Sequence, residues 1–166
     1  MTAARQKQKR YRAGLALATC LGLVLSAAAP GLGAALTQSI VVDRHSGLAI
    51  GGYDPVAFFT DGKPMIGRGD VELRYDGVVW RFRNEGNRAA FVERPDVYMP
   101  QFGGYDPLGV AHGVAVPGNP DLWVIVGERL FLFYDHARRD QFVASSERFI
   151  AAAERKWPDV LAALSP

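Results

Sequence analysis

The pentapeptide Gly-Gly-Tyr-Asp-Pro occurs twice, within "IGGYDPVAFF" from Ile50 and within "FGGYDPLGVA" from Phe102. Aromatic residues then follow at the same intervals: Phe82, Phe91 and Tyr98 in the first stretch match Phe133, Phe142 and Phe149 in the second. Phe-Val recurs as Phe91-Val92 and Phe142-Val143. An internal repeat, with halves at 48–100 and 101–157, accounts for both sets of matches. Each half is too short to bury both faces of its own sheet, so the halves are expected to share one core.

Within the first half, "VELRYDGVVWRFR" reads as a hairpin. Asp76-Gly77 supplies a two-residue turn, and Val78, Val79, Trp80 and Phe82 favour extended backbone. Asn84 is placed to cap a helix through "NEGNRAAFVE", which Pro95 ends. The second half repeats the design in "LWVIVGERLFLFY", with its turn near Gly127 and Asp135 as the next cap. Beyond it, Phe149, Ile150, Ala153 and Trp157 recur at helical spacing, which predicts a terminal helix that Pro158 stops. Trp157 is expected to cover the core. The predicted fold is α+β: two strand-hairpin-helix units in one compact domain, with an added C-terminal helix.

The chain starts with Arg5, Lys7, Lys9, Arg10 and Arg12 before an uncharged stretch running from Ala13 past Ala35. A basic start, an apolar middle and the small residues Gly33-Ala34-Ala35 are the pattern of an export signal. Residues 1–35 are therefore expected to be removed, leaving 36–166 as one domain in the periplasm or outside the cell. Contact with a membrane would come only through an uncleaved N-terminal segment. Cleavage takes five of the 19 Lys and Arg and none of the 17 Asp and Glu, leaving 14 basic against 17 acidic residues. That balance removes the electrostatic argument for a nucleic-acid partner. The single cysteine, Cys20, goes with the signal, so the mature chain has no disulfide, thiolate ligand or cysteine nucleophile.

The repeated corner supplies the candidate site residues. Gly-Gly admits positive φ or close backbone approach, and aspartate before proline accepts from nearby backbone N–H groups. Tyr53 and Tyr105 place rings in the core with their hydroxyls at its edge, while Asp54 and Asp106 lock the corners. Alternatively, the two corners line one cleft and the aspartates serve a cation or acid–base chemistry. His112, in the glycine- and proline-rich "AHGVAVPGNP", lies close behind the second corner. His45 and His136 stand in no metal-ligand spacing with it. Arg81 and Arg83 flank Phe82 and are expected on a solvated sheet face. Nucleophile-elbow, phosphate-loop and metal-hydrolase motifs are absent, and Arg68-Gly69-Asp70 is too short a string to carry a function.

The succession of "GGYDPVAFFTDGKP", "YDGVVWRFRNEGN", "FGGYDP", "VPGNPDLWVIVGERLFLFY" and "KWP" between Leu48 and Pro158 resembles the exported YHS-domain-containing proteins. The resemblance implies an envelope module whose smaller relatives hold metal through cysteines. At the matching positions this chain has Ala57, Arg83, Asn87 and Asp106. Tyr53, Asp54, Tyr105, Asp106 and His112 remain as binding candidates, and their oxygen and imidazole donors suit a hard or borderline metal rather than Cu(I). The cofactor is left open, with thiolate-bound metal set aside. The expected function is a noncatalytic cell-envelope binding or accessory module for a metal, a small ligand or an envelope protein. The alternatives are a small exported enzyme using Asp54, Asp106 and His112, and a purely structural or interaction protein.

Overall fold

The computed structural model describes residues 39–164; the export signal, its cleavage point and Cys20 lie outside the described residues. The first repeat runs from a 3-10 turn at Ile50–Gly52 through α1 (Ala57–Thr60), β1 (Arg68–Tyr75), β2 (Val78–Phe82), α2 (Glu85–Glu93) and α3 (Pro95–Tyr98). The second runs from a 3-10 turn at Gln101–Gly104 through α4 (Pro107–Ala111), β3 (Asn119–Val126), β4 (Arg129–Phe133) and α5 (His136–Ala144). A longer helix, α6 (Ser146–Leu164), completes an α+β fold. Among the described residues no helix is long and apolar enough to cross a membrane.

Both hairpins turn through two left-handed residues, Asp76 and Gly77 at φ 49° and 78°, and Gly127 and Glu128 at φ 57° and 61°. That geometry matches the right-handed twist of the strands it joins. The antiparallel ladders β1–β2 and β3–β4 also slip register at the same place, between Arg68 and Glu72 and between Asn119 and Trp123. The Asn84 and Asp135 side chains then cap α2 and α5, each accepting a 2.8 Å hydrogen bond from the backbone N–H three residues on. Pro95 follows the end of α2 and opens α3, where its missing N–H costs nothing.

Aromatic packing repeats almost to the ångström. Phe91 of α2 meets Trp80 and Phe82 at centroid distances of 5.1 and 5.3 Å, and Phe142 of α5 meets Phe131 and Phe133 at 4.9 and 5.1 Å. The third aromatic of each series does not match. Tyr98 sits edge-on to Phe59 at 5.4 Å, whereas Phe149 stacks on Phe142 at 6.5 Å. Pro95 opens a separate four-residue helix before Tyr98, while α6 carries Phe149 inward instead.

The single shared core expected from the repeat divides in two. Trp80, Phe82, Phe91, Phe58 and Ile50 form one cluster, joined by Leu130 and Leu132. Phe131, Phe133, Phe142, Leu108 and Val110 form the other, closed by Ala153 and Val160 of α6. Strand β4 separates them, because successive side chains of a strand point to opposite faces and all four residues from Leu130 to Phe133 are apolar and buried. Phe58 also crosses to Trp123 of β3, with ring centroids 5.3 Å apart.

Pro158 does not stop the last helix; α6 continues past it to Leu164. A proline inside a helix loses one hydrogen bond and costs roughly 3 kcal/mol. Burial of Val160 and packing of Leu164 on the second cluster oppose that cost and hold the last turns in place. Trp157 covers the core as expected, with its ring 5.7 Å from Phe102 and 6.2 Å from Tyr105.

Candidate functional site

The repeated corner is a left-handed bend. Ile50, Gly51 and Gly52 have φ of 43°, 66° and 80°, and Phe102, Gly103 and Gly104 have φ of 53°, 62° and 88°. The bend delivers an aspartate into the interior of each repeat, and both aspartates are fully buried. Asp54 Oδ1 accepts from the N–H of Val56 and Ala57 at 2.8 and 3.3 Å, and its Oδ2 accepts from Arg83 N at 2.8 Å and Asn87 Nδ2 at 2.7 Å. Asp106 Oδ1 accepts from Leu108 N and Gly109 N at 2.9 and 3.0 Å, and its Oδ2 accepts from Tyr134 N at 2.9 Å. Each carboxylate thereby starts a short helix and fastens it to the end of the following hairpin. A buried charge is tolerated only when its lone pairs are taken up in this way.

Asp54 and Asp106 thus hold their own repeats together. The partners of Asp54 lie in the first repeat and those of Asp106 in the second. His112 belongs with Asp106: its Nδ1 is 2.6 Å from the carbonyl oxygen of Leu108, whose N–H Asp106 accepts. Because a carbonyl only accepts, Nδ1 carries the proton, and Nε2 is the nitrogen left for solvent or a ligand. Among the described residues no three His, Cys, Asp or Glu side chains are grouped to hold a metal ion.

The tyrosines have separate tasks. Tyr53 donates from its hydroxyl to Asp121 Oδ1 at 3.2 Å, tying the first corner to β3 of the second repeat. Partial burial, and then the nearby Asp121 carboxylate, raise its phenol above the ordinary tyrosine value. Tyr105 is buried against Trp157, and burial raises its phenol in the same direction. His45 and His136 are exposed.

Beside the second corner lies an open recess of about 270 Å³, lined by Leu108, Gly109, His112, Val114, Val116, Arg138 and Gln141. Leu108, Val114 and Val116 make it apolar, while Arg138 and Gln141 bring N–H donors and His112 brings the acceptor Nε2. Arg138 Nη1 is 3.4 Å from Asp106 Oδ1 and its Nε is 3.9 Å from Asp135 Oδ2, so neither pairing is tight. Its guanidinium also lies 5.9 Å from the centre of the Tyr134 ring.

Arg138 and Gln141 were not among the candidates legible in either half alone. The correspondence of the two repeats picks out Arg138. Arg138 holds the place of Asn87, which bonds the other aspartate, and His112 holds the place of Thr60, whose Oγ1 donates to the Val56 carbonyl at 3.2 Å as His112 Nδ1 does to that of Leu108. A neutral amide and a hydroxyl in one repeat are therefore a guanidinium and an imidazole in the other. Comparison of the chain with protein-family models, with curated proteins and with solved structures returned no match.

Proposed function

We propose that the protein is a noncatalytic binding module of the cell envelope, related to the exported YHS-domain proteins, which takes a small ligand in the recess beside its second corner. The observation that carries this reading is the difference between the two corners. Around one scaffold, the first corner completes its aspartate with the neutral Asn87 amide, and the second opens onto an apolar recess edged by His112 and Arg138. Preformed apolar concavities with a few convergent polar groups are the usual form of small-ligand sites.

Burial of the aspartates supports binding over catalysis. A general acid or base must come within hydrogen-bond reach of its substrate, and both carboxylates are sealed and occupied by backbone donors. The envelope location rests on the basic and apolar pattern of residues 1–35 and on the motifs that resemble the exported family.

Amide-resolved NMR of the chain against small carboxylates, amines, neutral aromatics, divalent metal ions and short peptides tests the binding reading. Saturable shifts at Gly109, His112 and Val114 support it, and no response there to any class overturns it. Fractionation with intact-mass analysis tests the location: an N terminus near Leu36 supports export, and a retained Met1 in the cytoplasmic fraction overturns it.

A further inference from the structure

We propose that the ligand of this recess is a small carboxylate carrying a short apolar tail. The inference rests on the binding reading above and names the chemistry of its occupant.

The first repeat acts as an internal control for Arg138. Asp54 completes its hydrogen bonds with the neutral Asn87 amide at 2.7 Å, so the fold needs no cation at this place. Asp106 already accepts three backbone N–H groups at 2.9 to 3.0 Å, and Arg138 approaches it only to 3.4 Å. A guanidinium has five N–H donors in a planar fork that matches a carboxylate, and the long contacts to Asp106 and Asp135 leave most of them unused. The negative charge of Asp106 is spread over three backbone donors, and that of Asp135 caps α5 by accepting from Arg138 N at 2.8 Å. Arg138 therefore exceeds what the architecture requires, and it borders the recess while making only long contacts to Asp106 and Asp135.

The remaining wall selects among anions. His112 donates its Nδ1 proton to the Leu108 carbonyl, so its Nε2 is an acceptor, and the N–H donors for an anion at this rim come from Arg138. Gln141 follows Arg138 by three residues on α5, on the same helix face, and adds an amide. Leu108, Val114 and Val116 offer nothing to the strongly hydrated oxygens of a phosphate but accept an alkyl or aryl tail. At about 270 Å³ the recess is at the small end of ligand pockets, which suits a compact acid.

Titration of the full, ¹⁵N-labelled chain with benzoate, benzamide and inorganic phosphate at matched ionic strength tests the assignment. The expected result is saturable benzoate shifts at Gly109, His112 and Val114, with benzamide and phosphate binding at least about tenfold more weakly, as loss of a bidentate charged contact implies. Arg138→Asn, which installs the residue of the first repeat, should keep the amide spectrum of the core and weaken benzoate at least about tenfold. If that variant fails to fold, Gln141→Ala, at an exposed position of α5, should weaken benzoate measurably and serves in its place. Equal binding of benzamide, or benzoate affinity unchanged in the folded variant, overturns the proposal. Shifts from another ligand class but not from benzoate overturn this assignment and leave the binding reading standing; no shifts from any class remove both.

Discussion

Arg81 and Leu132 hold the same place in the two hairpins, Arg81 opposite Glu72 and Leu132 opposite Trp123, yet only the leucine is sealed from water. Arg81 pairs with Glu72 at 2.8 Å on a half-exposed face. Leu132 enters the core of the other repeat. Leu132→Ala should therefore cost about 2–5 kcal/mol, as a buried leucine does. Arg81→Ala should cost no more than about 1 kcal/mol, the range for a surface ion pair. Urea unfolding of both variants checks the contrast, and similar losses would mean that the repeats do not pack by the outer face of the second hairpin.

The two corner glycines differ as sharply. Gly51 and Gly103 have φ of +66° and +62°, so alanine is strained at both. A Cβ on Gly51 would meet only the Tyr53 ring at 3.8 Å, but on Gly103 it would fall 1.8 Å from the backbone oxygen of Ser39. Gly51→Ala is expected to cost roughly 1–2 kcal/mol, the penalty of the left-handed region alone. Gly103→Ala should cost distinctly more, because the segment from Ser39 to Val41, whose Val41 N–H donates to the Gly103 carbonyl at 2.8 Å, has to move. Equal destabilisation in chemical denaturation would contradict this.

Replacing either buried carboxylate with its amide keeps the shape and loses an acceptor. Asp54→Asn and Asp106→Asn each turn an NH₂ group toward N–H donors that now lack a partner, at a cost of roughly 3 kcal/mol. Arg138→Asn should remain within about 1 kcal/mol of the parent, since Asp106 keeps its backbone donors. Thermal melts of the three variants would reveal a misassigned role if Arg138→Asn proved as damaging as Asp106→Asn.

Alkaline pH should loosen the join between the repeats. Tyr53 is raised from the ordinary value of 10.0 by burial and by Asp121. The unfolded chain then releases the phenol proton at lower pH than the folded one. Stability from this group is fully present below the unfolded value and is lost as pH rises through the folded one. Tyr53→Phe should reduce the fall in unfolding free energy above about pH 10. An unchanged slope would show that the Tyr53 hydroxyl is not coupled to folding.

Much of this architecture was legible because it is written in local chemistry. Asp76-Gly77 makes a hairpin turn wherever it stands between strand formers, Asn84 and Asp135 cap the helices they precede, and aspartate before proline turns its carboxylate onto the next backbone N–H groups. Pro158 misled because its local penalty is outweighed by contacts with residues distant in sequence. The site was harder to read. Asp54 and Asp106 attract attention as a repeated acidic pair, although burial closes both, whereas Arg138 looks like one surface arginine among many.

The amino-acid order alone determined the two hairpins, their caps, the repeated left-handed corner and the aromatic plugs, since each depends on residues close in the chain and on side-chain periodicity. Tertiary structure decided that β4 serves two cores, that the repeats pack unequally, and that His112 and Arg138 border one recess. Those outcomes depend on which faces exclude water together, a property of surfaces brought into contact from separate parts of the chain.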